Sequence, residues 1–278
     1  MEALGQSISA VIVARNEEKK IGKALSSLAG WVNEIVFFDM DSTDNTVSIA
    51  QQFGATIFHI EQMGGQEPAR PIAIGKATGN WIIMLDADEL VSPTLRDRLL
   101  LAVRSNEADV LNLPRQNFLF GKAMTGTMLA PNDDRQIRFF KAGHVEISPL
   151  LHAQPSWNPS SRFLNLTYPA DGAIVHFNYV SISQYLDKLN RYTGMEAHKP
   201  KNLQSYSLGK ALVRALYEFL NRFIRHKGYM DGWRGFYISL SMSFYRITIW
   251  AKRRELLESG SVEEIEKMYA TIAEQTLS

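Results

Sequence analysis

The sequence of 278 residues contains no cysteine. Disulfide bonds and thiolate metal sites are therefore excluded, which is compatible with a reducing compartment. No uncharged apolar stretch reaches the roughly 18–20 residues that a membrane-spanning helix needs. Residues 1–9 lack a basic segment followed by an apolar run, so we expect no secretory signal peptide.

The chain also has little net charge, only +1 at pH 7. This near-neutral balance argues against a general nucleic-acid-binding protein. The charge is unevenly spread, because residues 205–254 carry ten Lys and Arg but only two acidic residues, Glu218 and Asp231. This segment has a charge of +8, which leaves 1 − 8 = −7 for the rest of the chain. Its excess of basic residues predicts an anionic surface as a partner.

The composition is that of a folded protein, with 45% hydrophobic and 21% charged residues. The length suits one large domain, or one domain with an extension. Short apolar strands alternate with short amphipathic helices in the first part of the chain. This alternation predicts βαβ units and a parallel sheet, whose ligands bind at the carboxyl ends of the strands. The predicted strands are 8–14, 34–39, 55–60, 81–85, 110–113, 135–141, 147–151 and 173–178, and helices dominate from 183 onward.

An acidic tip follows the apolar strand in the sequence WIIMLDADE, residues 81–89. Strand side chains alternate in direction, so Asp86 and Asp88 project to the same side. Two carboxylates on one side of a strand end suit a hard divalent cation that also binds phosphate oxygens. The alternative is a simple helix start, because Ser92 and Pro93 form a good N-cap and first helical position.

A second acidic cluster, DMDSTDNT, follows the predicted strand 34–39. Asp39 at this strand end suits contacts to a base or ribose. The same letters also match the Asp-x-Asp-x-Thr motif of haloacid-dehalogenase-like phosphatases, with Asp39 as nucleophile and Asp41 as acid/base. The short separation from Asp86 argues against that phosphatase, since its intervening strands do not fit. A purely structural alternative is that the cluster caps a helix.

Three segments together resemble the family 2 glycosyltransferases with a GT-A fold, most closely the bacterial lipopolysaccharide-core and cell-envelope enzymes. The segments are VIVARNEE (11–18), EIVFFDMDSTDNT (34–46) and WIIMLDADE (81–89). The resemblance implies an α/β fold, with a Rossmann-like, mostly parallel sheet flanked by helices. It implies a catalytic domain over 1–200, with a nucleotide-sugar half at about 8–105 and an acceptor half at about 106–200. Residues 201–278 would form a helical, basic amphipathic extension.

The resemblance also implies a nucleotide-sugar site and a divalent metal, Mg²⁺ or Mn²⁺. Asp88 would bind the metal, and Asp86 would contact both the metal and the ribose. By the same resemblance the nucleotide-sugar is expected to be a UDP-sugar. The residues implied to bind it are Ala14, Arg15, Glu17, Asp39, Arg70, Asp86 and Ala87. Two residues depart from the family pattern: Asp41 replaces a common glycine, and Pro71 follows Arg70 where a polar residue is usual.

An inverting reaction needs a base that takes the proton from the acceptor hydroxyl. We expect a carboxylate beyond the Asp-x-Asp strand. The candidates are Asp133, Asp134 and Glu146, with Asp134 as the first choice and Glu146 as the second. Related enzymes often show Val-His-Glu where this chain has Leu151-His152-Ala153, so a glutamate is missing there. A catalytically inactive nucleotide-sugar or membrane-binding scaffold therefore remains an alternative. For His176, a pocket wall or a core position is a better prediction than a metal ligand.

The C-terminal third shows a helical pattern with one apolar and one basic side. The apolar positions are Leu212, Leu216, Phe219, Leu220 and Phe223, and the polar positions opposite are Lys210, Arg214, Asn221, Arg222 and Arg225. Basic amphipathic helices with aromatic residues are typical of in-plane membrane binding, although a helical hairpin packed on the catalytic domain would give the same pattern. We expect a cytoplasmic enzyme on the cytoplasmic face of an anionic membrane, with a glycan or lipid-linked acceptor.

Overall fold

The structure is a computed structural model that describes residues 5–63, 65–150, 154–198 and 207–277. The chain forms two compact units. The first lies within residues 5–118 and 129–178, and the second within 119–128 and 179–277. The domain boundary at residue 200 stays a prediction, because residues 199–206 are not described.

The first unit is a mixed α/β structure. Its helices are α1 (Ile21–Leu28), α2 (Thr46–Gln52), α3 (Ala69–Ile74) and α4 (Pro93–Ser105). The strands of the chain are β1 (Ile8–Ala14), β2 (Glu34–Asp39), β3 (Thr56–His59), β4 (Trp81–Met84), β5 (Glu89–Val91), β6 (Val110–Leu119), β7 (Lys122–Ala123), β8 (Arg135–Lys141), β9 (Val145–Glu146), β10 (Ser156–Trp157), β11 (Phe163–Asn165) and β12 (Ile174–Tyr179). The main sheet runs in the order β3-β2-β1-β4-β8-β6-β12-β5.

The first four strands of this order are parallel, as the βαβ pattern predicts. β8 then pairs antiparallel with both β4 and β6, and β12 pairs antiparallel with β5. The predicted α/β fold with helices beside the sheet is therefore confirmed. The half of the sheet built from the first part of the chain is the parallel half.

The central strand β1 is buried along its whole length. Alternate residues point to opposite faces, so Ile8 and Ile12 join one hydrophobic core while Val11 and Val13 join the other. A strand covered on both faces reads as a continuous apolar run, which explains its sequence. β1 is accordingly an inner strand, with β2 on one side and β4 on the other.

Two predictions in the middle of the chain are wrong. Residues 147–150 of the predicted strand 147–151 do not form a strand, and Leu151 lies outside the described residues. The short strands β9, just before this stretch, and β10, after it, pair antiparallel. The stretch 158–171, which lies outside the predicted strands, contains β11. β11 is extended because it pairs in parallel with β6, a partner about 50 residues away that local propensity does not reveal.

Asp109 joins three segments at one end of the sheet. Its carboxylate accepts hydrogen bonds from Lys141 at the end of β8 (2.7 Å) and from the backbone and guanidinium of Arg162 just before β11 (2.8–3.0 Å). The bonds from Arg162 hold the pKa of Asp109 well below its usual value, against the raising effect of burial.

This depressed pKa predicts how stability depends on pH. A carboxylate with a lowered folded-state pKa contributes stability above its unfolded pKa of about 3.9 and loses it as the pH falls below that value. We expect the free energy of unfolding to fall in this acid range, and Asp109→Asn to make the fall shallower. Urea unfolding followed by circular dichroism at a series of pH values measures this. Asp97→Asn, at an exposed position on α4, is the control, and an equal effect of both variants would contradict the assignment.

The second unit is helical. It contains α5 (Ile182–Ala197), α6 (Leu208–Leu220), a π-helical turn (Asn221–Arg225), a 3₁₀ turn (Gly228–Asp231), α7 (Trp233–Ser259) and α8 (Val262–Leu277). Serine side chains cap two of the helices: Ser181 accepts from the Gln184 amide and Ser207 from the Lys210 amide. Within the described residues, no helix has the length and apolar character needed to cross a membrane.

Gly235 lies where α7 meets the 3₁₀ turn before it. A Cβ atom at this position would overlap the Gly228 carbonyl oxygen. We therefore expect Gly235→Ala to destabilise the protein by about 1–3 kcal/mol through overpacking. Chemical denaturation followed by circular dichroism tests this.

Gly209 on α6 provides the matched control, because an added Cβ there meets no atom within 4 Å. Gly209→Ala should stabilise the protein by about 0.5–1 kcal/mol, since alanine is the better helix former. If both variants were equally stable, the close approach at Gly235 would have no energetic role.

Candidate active site

The acidic strand ends meet at the carboxyl edge of the parallel strands. Ala14 pairs with Asp39, and Val11 of β1 pairs with Met84, two residues before Asp86. Asp39 is buried, with 2% exposure. Its carboxylate oxygens accept from the Ser42 amide at 3.3 and 3.2 Å and lie 3.3 Å from His59 Nδ1. As placed, Asp39 therefore stabilises the turn that follows β2.

Hydrogen bonds tie the loop after β1 to the loop after β2. The Asn16 amide donates to Ser42 Oγ (3.0 Å), and the Thr43 amide donates to Asn16 Oδ1 (2.8 Å). The Glu17 amide donates to Thr46 Oγ1 (2.7 Å). The polar residues after β2 thus bind the neighbouring loop, where the sequence suggested helix capping. α2 begins after Asn45, whose side chain makes no capping hydrogen bond.

Asp41 has a left-handed backbone, with φ of 57°. This explains why the family pattern has glycine there, since glycine adopts this conformation without strain. Aspartate is one of the few other residues that tolerate it. Here Asp41 also contributes two contacts: its Oδ2 accepts from the Gln62 amide (3.3 Å) and its carbonyl oxygen accepts from Arg15 Nε (3.4 Å). The departure from the family pattern is therefore compatible with the loop.

Asp86 is held between two arginines. Arg70 Nη2 donates to Oδ1 and Arg138 Nη2 donates to Oδ2, both at 2.7 Å. Burial would raise the pKa of Asp86, but the charges of Arg138 and Arg70 outweigh it and hold that pKa far below its usual value. Arg138 is only 4% exposed, so it does not lie on an exposed face of β8. Asp86 is thus a permanent carboxylate whose two oxygens are both engaged.

A second layer of buried charge supports this pair. Glu89 is fully buried; its Oε2 accepts from the Asp86 amide (3.0 Å) and its Oε1 from Arg115 Nη1 (3.2 Å). Arg115 also donates from Nε and Nη2 to the Asp134 carboxylate, at 3.0 and 3.1 Å. Burial lowers the pKa of Arg115, but Asp134 and Glu89 raise it above its usual value. Sequence reasoning missed Arg115; its only signal is the polar stretch inside β6.

Asp88 lies outside this arginine network and faces a histidine. Its Oδ2 is 3.7 Å from His176 Nε2 and 3.9 Å from Lys20 Nζ. His176 Nδ1 is 2.7 Å from Asn117 Oδ1, an acceptor, so Nδ1 carries the proton of the neutral ring. In the neutral form of the ring, the lone pair of Nε2 faces Asp88. The prediction of His176 as a buried, hydrogen-bonded residue is confirmed, and its position beside Asp88 adds to it.

Asp88 fits a divalent cation, whereas Asp86 does not. Mg²⁺ is usually bound by one or two protein carboxylates together with substrate phosphates. Asp88 is partly exposed and has the His176 Nε2 lone pair beside it, but both Asp86 oxygens bind arginines. Among the described residues, no group of three or more His, Cys, Asp or Glu side chains is placed to hold a metal. A metal here would therefore need oxygens from a ligand.

The two predicted bases have different surroundings. Both oxygens of Asp134 are fully used, since they accept from Arg115, Asn117 Nδ2 (2.7 Å) and Gln136 Nε2 (2.8 Å). Glu146 is exposed at the end of β9. His152 lies outside the described residues.

The chain is similar to known glycosyltransferases. Residues 9–141 match Glycosyl transferase family 2. An uncharacterized glycosyltransferase of Rickettsia typhi is 26% identical over 265 residues, 92% of this chain and 90% of that protein. The lipopolysaccharide core biosynthesis glycosyltransferase LpsC of Rhizobium meliloti is 27% identical over 259 residues, 88% of this chain and 91% of that protein.

Among solved structures, S. aureus TarS is 16% identical with a TM-score of 0.45. That match covers 80% of this chain and 45% of TarS, and at this score it does not bear on function. Residues 9–141 are a domain of Glycosyl transferase family 2. The protein is a glycosyltransferase, and the alternative of a haloacid-dehalogenase-like phosphatase is wrong.

Proposed function

We propose that the protein is a metal-dependent, inverting glycosyltransferase that moves a sugar from a nucleotide-sugar, a UDP-sugar, to a lipid-linked or cell-envelope glycan. The observation that carries this proposal is the pairing of Asp88 with His176 Nε2 at the end of β4, beside the two tied loops. A carboxylate and an imidazole lone pair on one side, next to fixed cationic side chains, suit a diphosphate with its metal.

In this proposal the nucleotide lies along the loops after β1, β2 and β4. Ala14, Arg15 and Glu17 contact the base. Asp39 stabilises the turn at Ser42, and this turn lies against the uridine. Arg70, about one-fifth exposed, is available to the diphosphate while Asp86 fixes its guanidinium. Ala87 is buried between Asp86 and Asp88 and keeps the turn tight.

Asp88 and His176 would hold Mg²⁺ or Mn²⁺ together with the diphosphate oxygens. When bound, the cation neutralises the charge that develops on the departing nucleoside diphosphate. The family resemblance suggested that Asp86 also binds the metal. We propose Asp88 as the metal ligand without Asp86, because both Asp86 oxygens bind arginines. Asp86 instead orients Arg70 and Arg138.

The base must have a free lone pair to accept the acceptor's proton. Asp134 has none, because its oxygens accept hydrogen bonds from three side chains. We therefore assign the base to Glu146 ahead of Asp134.

Glu146→Gln should lower kcat by about 10²–10⁴-fold, the usual contribution of a general base, and leave donor binding unchanged. Single-turnover transfer with a saturating UDP-sugar measures this, and calorimetry measures donor binding. Asp134→Asn is the comparison, and its effect should lie in stability, since Arg115 loses a partner. If Glu146→Gln transferred at the normal rate, this assignment would be wrong.

The acceptor class rests on two observations. One relative is, by its name, a lipopolysaccharide core glycosyltransferase. The other is the basic segment 205–254, which suits an anionic membrane surface, where lipid-linked glycans lie. We place the enzyme on the cytoplasmic face of that membrane, because UDP-sugars are the proposed donors.

A thermal-shift screen of nucleotide-sugars with Mn²⁺ tests the proposal as a whole. We expect one or more UDP-sugars to raise the melting temperature with Mn²⁺ and much less with a chelator, since binding to the folded state stabilises it. Hits are then tested for release of UDP. The proposal would be wrong if no nucleotide-sugar stabilised the protein, or if the chelator left turnover unchanged.

A further inference from the structure

The covered side of α6 is lined by two alanines and a glutamate, whereas its leucines are exposed. Its buried residues are Ala211, Ala215 and Glu218. Leu212, Leu216 and Leu220 are 49%, 61% and 47% exposed. The sequence suggested two uses for this leucine stripe, helix packing or membrane binding. These leucines are exposed, whereas Ala211 and Ala215 lie on the covered side of α6.

The exposed leucines continue onto α7. Phe219 and Phe223 of α6 and its π turn contact the Phe236 ring, with centroids 6.0 and 5.9 Å apart. Phe236, Leu240 and Phe244 recur at intervals of four residues, share one side of α7 and are all exposed. We name as the apolar face the six residues Leu212, Leu216, Leu220, Phe236, Leu240 and Phe244. An exposed apolar patch of this kind marks an interaction surface.

The charge around the apolar face has one sign. Glu218 and Asp231 are the only acidic residues between 207 and 254, and both are buried. Glu218 is paired with Arg222 and Arg246, and Asp231 accepts from Thr125 and Gly126. Five basic residues of the same segment are exposed: Lys210, Arg214, Arg225, Lys227 and Arg254. Over 207–254, all of it described, the surface therefore carries positive charge alone.

We propose that the apolar face inserts into the surface of an anionic lipid bilayer, with Lys210, Arg214, Arg225 and Lys227 at the headgroups. An apolar side and a separate basic side are what in-plane membrane binding requires. A second copy of the chain fits poorly, because it would bring two basic surfaces together. This inference rests on the proposed function, because a lipid-linked acceptor is the reason for binding a membrane. It adds which surface of the protein contacts the lipid.

Vesicle co-sedimentation of the full chain tests this directly. The protein should bind mixed phosphatidylcholine and phosphatidylglycerol vesicles, and bind pure phosphatidylcholine much more weakly. Leu216→Glu/Leu240→Glu should lower the partition constant by about tenfold or more, since two inserted side chains become charged. Leu101→Glu, at a similarly exposed position on α4, is the matched control and should bind normally.

A second pair of substitutions separates charge from apolar insertion. Lys210→Glu/Arg225→Glu should weaken binding to the anionic vesicles by about tenfold or more and make the remaining binding insensitive to salt. Failure of wild-type protein to bind anionic vesicles would overturn the inference. So would a dimer in sedimentation velocity that Leu216→Glu/Leu240→Glu dissociates.

The UDP-sugar thermal shift, measured on the same samples, distinguishes failure of the membrane-surface proposal from failure of the glycosyltransferase proposal. Donor binding without vesicle binding would refute the membrane surface and leave the glycosyltransferase proposal intact. Vesicle binding without donor binding would refute the UDP-sugar assignment and leave the surface in place. In the variants of the apolar face, the donor-induced shift should equal that of wild type.

Discussion

Asp88→Asn should lower kcat for sugar transfer by about 10³-fold. A cation at the diphosphate contributes several kcal/mol of charge stabilisation in the transition state, and each 1.36 kcal/mol is a factor of about ten. The amide removes the charge that would hold this cation but keeps the size of the side chain. The Mn²⁺-dependent part of the donor-induced thermal shift should disappear with it. Initial rates of UDP release over a range of Mn²⁺ concentrations measure kcat, and melting curves with the donor, with and without Mn²⁺, measure the thermal shift.

The surroundings of Asp88 make this substitution a clean test. Its nearest basic neighbours, His176 Nε2 and Lys20 Nζ, are 3.7 and 3.9 Å away, so no short ion pair is broken. The fold should therefore survive, with a melting temperature close to that of wild type. Asp97→Asn on α4 is the control and should leave kcat unchanged. Normal turnover by Asp88→Asn would remove this residue from the reaction.

Arg138→Met should destabilise the protein by about 3–5 kcal/mol, the largest stability effect that we expect. Arg138 is buried and donates to Asp86 at 2.7 Å, with Glu89 at 3.6 Å. Removing it leaves buried carboxylates that have lost their main counter-charge, which costs far more than a surface pair. Chemical denaturation followed by tryptophan fluorescence measures the loss.

Arg96→Met provides the contrast on the surface. Arg96 also pairs with an aspartate, Asp97, at 2.8 Å, but both side chains are exposed. Exposed pairs of this kind contribute less than about 1 kcal/mol. Equal destabilisation by the two substitutions would show that burial of the Asp86 network is not what makes Arg138 important.

The sequence predicted the nucleotide half of the sheet because its signals are local. Unbroken apolar runs mark β1, β2 and β4, and the acids that follow them must meet where parallel strands end together. The side-chain alternation that puts Asp86 and Asp88 on one side was not enough to assign their roles. Their surroundings differ, because Arg70 and Arg138 contact Asp86 and not Asp88. Arg138 is 52 residues from Asp86 in sequence, and no local pattern encodes that pairing.

The same limit applies to two other features that the sequence did not predict: the Glu89–Arg115–Asp134 network and the exposed side of α6. The Glu89–Arg115–Asp134 network joins residues 26 and 19 positions apart through register between strands. On α6, helical periodicity grouped Leu212, Leu216 and Leu220 correctly on one side. Periodicity reports which residues share a side, and only the neighbour that covers a helix decides which side is buried.

The ties between the loop at Asn16–Glu17 and the loop at Ser42–Thr46 have a consequence for how fast a nucleotide can be captured. Both loops are already ordered by hydrogen bonds before any ligand arrives. Ordering of flexible segments is a large part of the entropic cost of association. Here the two loops lose their conformational entropy when the protein folds and not when the nucleotide binds. Capture of the uridine end should therefore follow a single exponential whose rate rises linearly with nucleotide concentration, with no plateau from a slow closing step.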